Sequence, residues 1–94
     1  MRESEIEAAL RGGVTLLGGI AYKFVSPGRR GVPDRIVVMP NGVTVYVELK
    51  APGEKPEPHQ EREHQRLRDR GHRVYVIDTV EGVKQLLEEL KNGI

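Results

Sequence analysis

The sequence predicts a single α/β domain over residues 1–94: a mixed four-stranded sheet flanked by helices, in the order α-β-β-β-α-β-α. Three observations carry this prediction. Two runs rich in β-branched residues, 34–39 and 43–50, flank Pro40-Asn41-Gly42, and the Asn-Gly pair is a hairpin signal. A helical stretch at 58–70 separates the second of these runs from a further apolar run at 72–78, which makes a βαβ unit with parallel strands and a right-handed crossover. Both ends of the chain carry apolar residues at the 3–4 spacing of an amphipathic helix.

Residues 3–17 form the first predicted helix, with Ile6, Ala9, Leu10, Gly13, Val14 and Leu17 on one face and acids in the first turn. Gly12-Gly13 interrupts it, so either the helix breaks there or another element packs closely against it. Gly18-Gly19 ends it. IAYKFV at 20–25 reads as the first strand, and SPGRRGVP at 26–33 as a loop. DRIVVM at 34–39 is the second strand and VTVYVELK at 43–50 the third, antiparallel to it. APGEKPEP at 51–58 is a stiff polar connection. The second helix, about 58–70, has Pro58 in its first turn and Gly71 beyond its end. HRVYVID at 72–78 is the fourth strand, and Thr79 caps a last helix over 80–91.

Composition narrows the function classes. A chain of 94 residues, 37% apolar, with one Phe and no Trp, has a modest core that self-association would help to stabilise. Without Cys there are no disulfides, thiolate zinc sites or Cys nucleophiles. No run reaches the roughly 18 apolar residues of a membrane span. The N-terminal MRESEIEAAL is a charged helical pattern rather than a signal peptide, so a soluble, cytoplasmic protein is expected. The net charge of +1 conceals clustering. Lys23, Arg29, Arg30 and Arg35 lie in one stretch and five arginines in 62–73, so a local basic surface is expected.

The chemistry centres on the end of the third strand. Glu48 and Lys50 are two apart, so they share one face of the strand, roughly 6.6–7 Å apart. The plain reading is a strand running out into solvent. Against it, the strand is apolar almost up to Glu48, and a Pro/Gly loop follows Lys50, at the kind of strand end where α/β folds place ligands. Folding the hairpin about 41–42 sets Asp34 across from about position 49, give or take one, and so beside Glu48. Two facing carboxylates repel unless a counter-ion lies between them, and Mg²⁺ is such a counter-ion. Pairing of Asp34 with Arg35 or with Arg29-Arg30 is the alternative. Lys50 beside a metal could hold or deprotonate a water, or offset charge on a phosphate.

Gln60 shares a helical stripe with His64 and Leu67, so it points where Leu67 points, toward the sheet. An inward amide needs polar partners, or else it caps the helix. His59 and His64 are five apart and no HExxH is present, so the histidines do not form a metal cluster. GxxxxGK[ST] is absent, and Ser4, Ser26 and Thr44 have no evident general base.

Taken together, Pro33-Asp34, Glu48-Leu49-Lys50 followed by APG, and Gln60 after a Pro-rich loop resemble the core of the virus-type replication-repair nuclease (VRR-NUC) domain, a branch of the PD-(D/E)xK nuclease superfamily. The similarity runs along nearly the whole chain, and SPGRRGVPD and LRDRGHRVYVID also look like stand-alone phage and bacterial members. The resemblance implies a restriction-endonuclease-like fold, with Asp34, Glu48 and the Leu49 carbonyl as metal ligands and Lys50 as the catalytic lysine. Gln60 would be the helix residue of the motif. It also implies an acid on the first helix: Glu3 fits, with Glu7 as the fallback.

The expected function is a Mg²⁺-dependent DNA endonuclease, with Mn²⁺ able to substitute, acting as a homodimer on branched or Holliday-junction DNA. Lys23, Arg29, Arg30 and Arg35 are the candidate phosphate contacts. The alternatives are a non-catalytic DNA-binding or assembly module on the same fold, and a structural dimer whose strand-end charges are only salt-bridged.

Overall fold

The computed structural model describes all 94 residues. In chain order the elements are α1 (Glu3–Leu16), β1 (Ile20–Lys23), β2 (Arg35–Val38), β3 (Thr44–Leu49), α2 (Pro58–Asp69), β4 (Val74–Ile77) and α3 (Val80–Lys91). The strands form one sheet in the order β1-β2-β3-β4. The first two pairings are antiparallel and β3-β4 is parallel. The predicted element order, mixed sheet and parallel βαβ unit are all present. No helix is long and apolar enough to cross a membrane.

Alternation along β3 divides the molecule. Val45, Val47 and Leu49 point to one face and join Ile6, Leu10 and Val14 of α1 and Val83, Leu86 and Leu90 of α3 in a cluster of 12 buried residues. Tyr46 and Glu48 point to the other face, under α2. The apolar core therefore lies on the α1/α3 side, and the face toward α2 is left for polar groups.

Helix α1 runs unbroken through Gly12-Gly13. A Cβ at Gly13 would fall within the Leu87 side chain, so this glycine is where α3 approaches α1, as the second of the two sequence readings expects. Gly12 has open space around it. Gly12→Ala is therefore expected to gain the helix propensity of alanine, about 1 kcal/mol. A thermal melt should show the midpoint rising by roughly 4–8 °C.

The hairpin differs from a two-residue turn. Met39 and Val43 close it, through the Val43 carbonyl accepting from Met39 N–H at 2.9 Å. The loop is thus three residues, Pro40-Asn41-Gly42, with Gly42 at φ 87°. Proline holds φ near −65°, so Pro40 takes the first corner of an ordinary turn and leaves the left-handed position to Gly42. The register that follows pairs Arg35 with Val47. Continued one residue, it sets Asp34 opposite Glu48, within the window read from the sequence.

The strands are shorter at their ends than predicted. Phe24 still donates to the Asp34 carbonyl at 2.8 Å, but Val25 is exposed beyond the sheet. His72 lies in the connection after α2, and its N–H donates back to the Leu67 carbonyl at 3.1 Å. β4 therefore starts two residues later than expected.

Candidate active site

Asp34 lies between Pro33 and the first residue of β2, and its carboxylate is tied to the neighbouring strand. Its Oδ2 accepts from the Leu49 N–H at 2.8 Å. Opposite it, Glu48 is buried, 2% exposed, on the α2 side of the sheet. Lys50 Nζ lies 3.4 Å from Glu48 Oε2. Asp34, Glu48 and Lys50 thus meet at the C-terminal end of β3, as the sequence predicts.

Gln60 joins them from α2 and serves as helix cap and site residue at once. Its Oε1 accepts from the Glu57 N–H at 2.8 Å, closing the first turn of the helix. The same oxygen accepts from Lys50 Nζ at 2.9 Å, and Nε2 donates to Glu48 Oε2 at 3.2 Å. Both readings of an inward glutamine hold together, because this amide lies where helix start and strand end meet. Its bonds fix Lys50 and Glu48 relative to the backbone.

Glu48 Oε2 is therefore shared by Lys50 and Gln60, whereas Oε1 is buried and has no hydrogen-bond partner. Burial first, and Asp34 second, push the Glu48 carboxyl from 4.5 up to about 7, against the pull of Lys50. His64 Nε2 lies 3.8 Å from Oε1 and is also unpartnered. Burial, reinforced by Arg68 and Lys50, lowers the His64 pKa, so the ring is neutral at pH 7 and does not neutralise the carboxylate. His64 follows Gln60 by one turn on the same helical stripe, a position that metal-ligand spacing alone does not reveal. Its burial against Glu48 was readable from that stripe.

A buried carboxylate oxygen without a donor, facing a second carboxylate, suits a divalent cation. No cage of three or more His, Cys, Asp or Glu side chains converges here. The donor set is the one Mg²⁺ usually takes from protein, one or two carboxylates with the rest from water, backbone or phosphate. Asp34 and Glu48 are the side chains that could hold it, and the Leu49 peptide lies beside them.

Other predicted residues lie elsewhere. Glu7 Oε2 is 3.2 Å from Arg35 Nη2, and its other oxygen is 3.8 Å from Arg11. Glu3 is exposed and has no side-chain partner. Neither helix-one acid is bonded to Asp34, Glu48, Lys50 or Gln60. Arg35 pairs with Val47 and so faces α1, where its guanidinium also donates to the Ala21 carbonyl at 3.2 Å. It ties β1, β2 and α1 together rather than lying on an open surface. Lys23 is exposed at the end of the edge strand, while Arg29 and Arg30 lie on the surface loop beside α2.

Comparison with known proteins shows the family. A family model of the VRR-NUC domain matches residues 17–81. A protein of Acyrthosiphon pisum secondary endosymbiont phage 1, named "Putative nuclease p44", is 62% identical over 79 residues, covering 84% of this chain and 85% of that one. A solved structure described as a VRR_NUC domain superposes with a TM-score of 0.85 at 39% identity, covering 92% of this chain and 94% of the other.

Proposed function

The chain belongs to the VRR-NUC domain family, and on that premise we propose that it is a Mg²⁺-dependent DNA endonuclease acting on branched DNA, Holliday junctions included, as a homodimer inside a phage-infected or bacterial cell. The observation that carries the reading is the unpartnered Glu48 Oε1, buried opposite Asp34 and beside an ordered Lys50. A cation bound by Asp34, Glu48 and the Leu49 carbonyl would supply Lewis acidity to a phosphodiester oxygen and acidify a bound water.

The chain's own groups do the remaining work. Asp34 is held by the Leu49 N–H, so its carboxylate is oriented before substrate arrives. Lys50, fixed by Gln60 and Glu48, presents an ammonium that orients the attacking water and offsets the negative charge that grows on the phosphate. Gln60 keeps Lys50 and Glu48 in place without adding charge. Glu3, with Glu7 one turn on as the fallback, would be the helix-one acid of the family pattern. The dimer reading is supported at the edge strand: Ile20 and Tyr22, 51% and 52% exposed, share a face of β1, with Val38 across from Ile20.

Labelled four-way junction, flap and linear duplex DNA, incubated with Mg²⁺, Mn²⁺ or EDTA, test the reading. Cleavage with either metal, strongest on the junction and absent in EDTA, is expected. If wild type and Lys50→Ala bind DNA and are equally inert with both metals, the chain is a DNA-binding module and not an enzyme. Sedimentation at micromolar protein tests the dimer.

A further inference from the structure

Beside the site, the outer face of α2 carries a feature that cleavage chemistry does not use. Arg62, Arg66 and Arg70 recur every four residues and are exposed, so they form one row with Cα atoms about 6 Å apart. The loop 26–33 brings Arg29 and Arg30 against the start of this row. That approach is built in: Gly31 has φ 89°, and a Cβ there would lie 2.8 Å from the His59 carbonyl oxygen, so only glycine lets the loop lie so close on α2.

The five arginines line two adjoining concavities, of about 530 and 300 Å³. One carboxylate is present among them, Glu63, which is buried on α2. Its Oε1 is 3.0 Å from Arg66 Nη1 and 3.5 Å from Arg29 Nη1, so a single buried acid anchors guanidiniums from two separate elements. Arg30 and Arg62 have no acidic partner within the protein. An excess of this size on one small surface is left for an anionic ligand to neutralise.

We propose that loop 26–33 and the outer face of α2 form a track for one phosphate backbone of duplex DNA, with Arg29, Arg30, Arg62, Arg66 and Arg70 as its contacts and Glu63 as the buried anchor that orients Arg29 and Arg66. The track starts at the N-terminal end of α2, the end that also carries Gln60, with Arg62 on the outer face of the helix and Gln60 on the inner one. The α2 row spans about 12 Å and one strand presents a phosphate every 3.4 Å or so of axis, which matches on the order of three phosphates. That the polyanion is DNA rests on the nuclease reading; the anionic track itself does not.

The test is binding of a fluorescent duplex by anisotropy in EDTA, over about 50–200 mM salt. Arg62→Gln/Arg66→Gln/Arg70→Gln keeps good helix formers on α2. Relative to wild type, its slope of log affinity against log salt should fall by roughly 2–3, with affinity at least about tenfold weaker. Lys84→Gln, on α3 across the sheet, should bind as wild type does. Should the triple variant not fold, Arg62→Gln alone, at a side chain with no partner in the protein, should lower the slope by about 1. A folded triple or Arg62→Gln variant with the wild-type slope and affinity overturns the track, whether or not the enzyme cuts. A wild type that binds with the expected slope but cuts nothing with Mg²⁺ overturns the nuclease reading and leaves the track standing.

Discussion

Glu48→Gln is expected to stabilise the metal-free protein at pH 8 while abolishing its activity. The Glu48 carboxyl is pushed up to about 7 in the fold from 4.5. A group that holds its proton more tightly in the fold than in the unfolded chain adds stability below pH 4.5, and that contribution is lost as pH rises through 7. A rise of this size corresponds to ~3 kcal/mol of stability missing at pH 8. Glutamine carries no charge to desolvate. Its carbonyl can still accept from Gln60 and Lys50, and its amide sets a donor toward the unpartnered ring nitrogen of neutral His64. The variant should melt more than about 10 °C above wild type at pH 8 in EDTA, and near it at pH 4.5. The difference between the two proteins is the informative quantity. His64, lowered in the fold, contributes stability that is lost as pH falls below 6.5, and so opposes Glu48 within the wild-type curve. At pH 8 His64 is uncharged in the fold and in the unfolded chain alike, so the comparison at that pH carries no such term. Equal melts at pH 8 would mean that the carboxylate is not held at a cost.

Lys50→Ala should move stability the other way and remove turnover. Lys50 is the one cation bonded to Glu48, at 3.4 Å, and its loss leaves the buried carboxylate with only Gln60 as donor. Metal-free stability at pH 8 should drop by roughly 1.5–3 kcal/mol, the worth of a hydrogen bond to a charged group. With Mg²⁺ and saturating DNA, single-turnover cleavage should fall by on the order of 10²–10³, as for a lost electrostatic donor at a transition state. Cation binding should persist, because both carboxylates remain. The pair of variants separates two roles. One removes the seat of the cation and stabilises the fold, and the other removes the group that serves the substrate and destabilises it.

What was legible in the sequence follows from which physics is local. The strand-helix order was readable because hydrophobic period, hairpin residues and helix punctuation are all near in sequence. Those signals also brought Asp34 opposite Glu48, with Pro40 accounting for the extra loop residue. The face of Arg35 was equally readable. It lies two residues before Val37, whose burial on the α1 side sends Arg35 there too, yet it was grouped with Arg29 and Arg30 by proximity in sequence. Glu63 was not readable as an anchor. Its importance depends on a loop folded against α2 by Gly31, a contact between segments some thirty residues apart. Gln60 was seen to turn inward, but its bonds to Glu57, Lys50 and Glu48 required the strand end and the helix start to meet in space.

The central claim is that Asp34 and Glu48 together are a seat for a divalent cation, and Mn²⁺ binding followed by electron paramagnetic resonance tests it without any reaction. Wild type at pH 8 should immobilise Mn²⁺ in a saturable site that Mg²⁺ displaces, while Asp34→Asn and Glu48→Gln, both folded, should leave the ion free in solution. Wild type that binds no Mn²⁺, or binding that survives unchanged in both variants, would contradict the account.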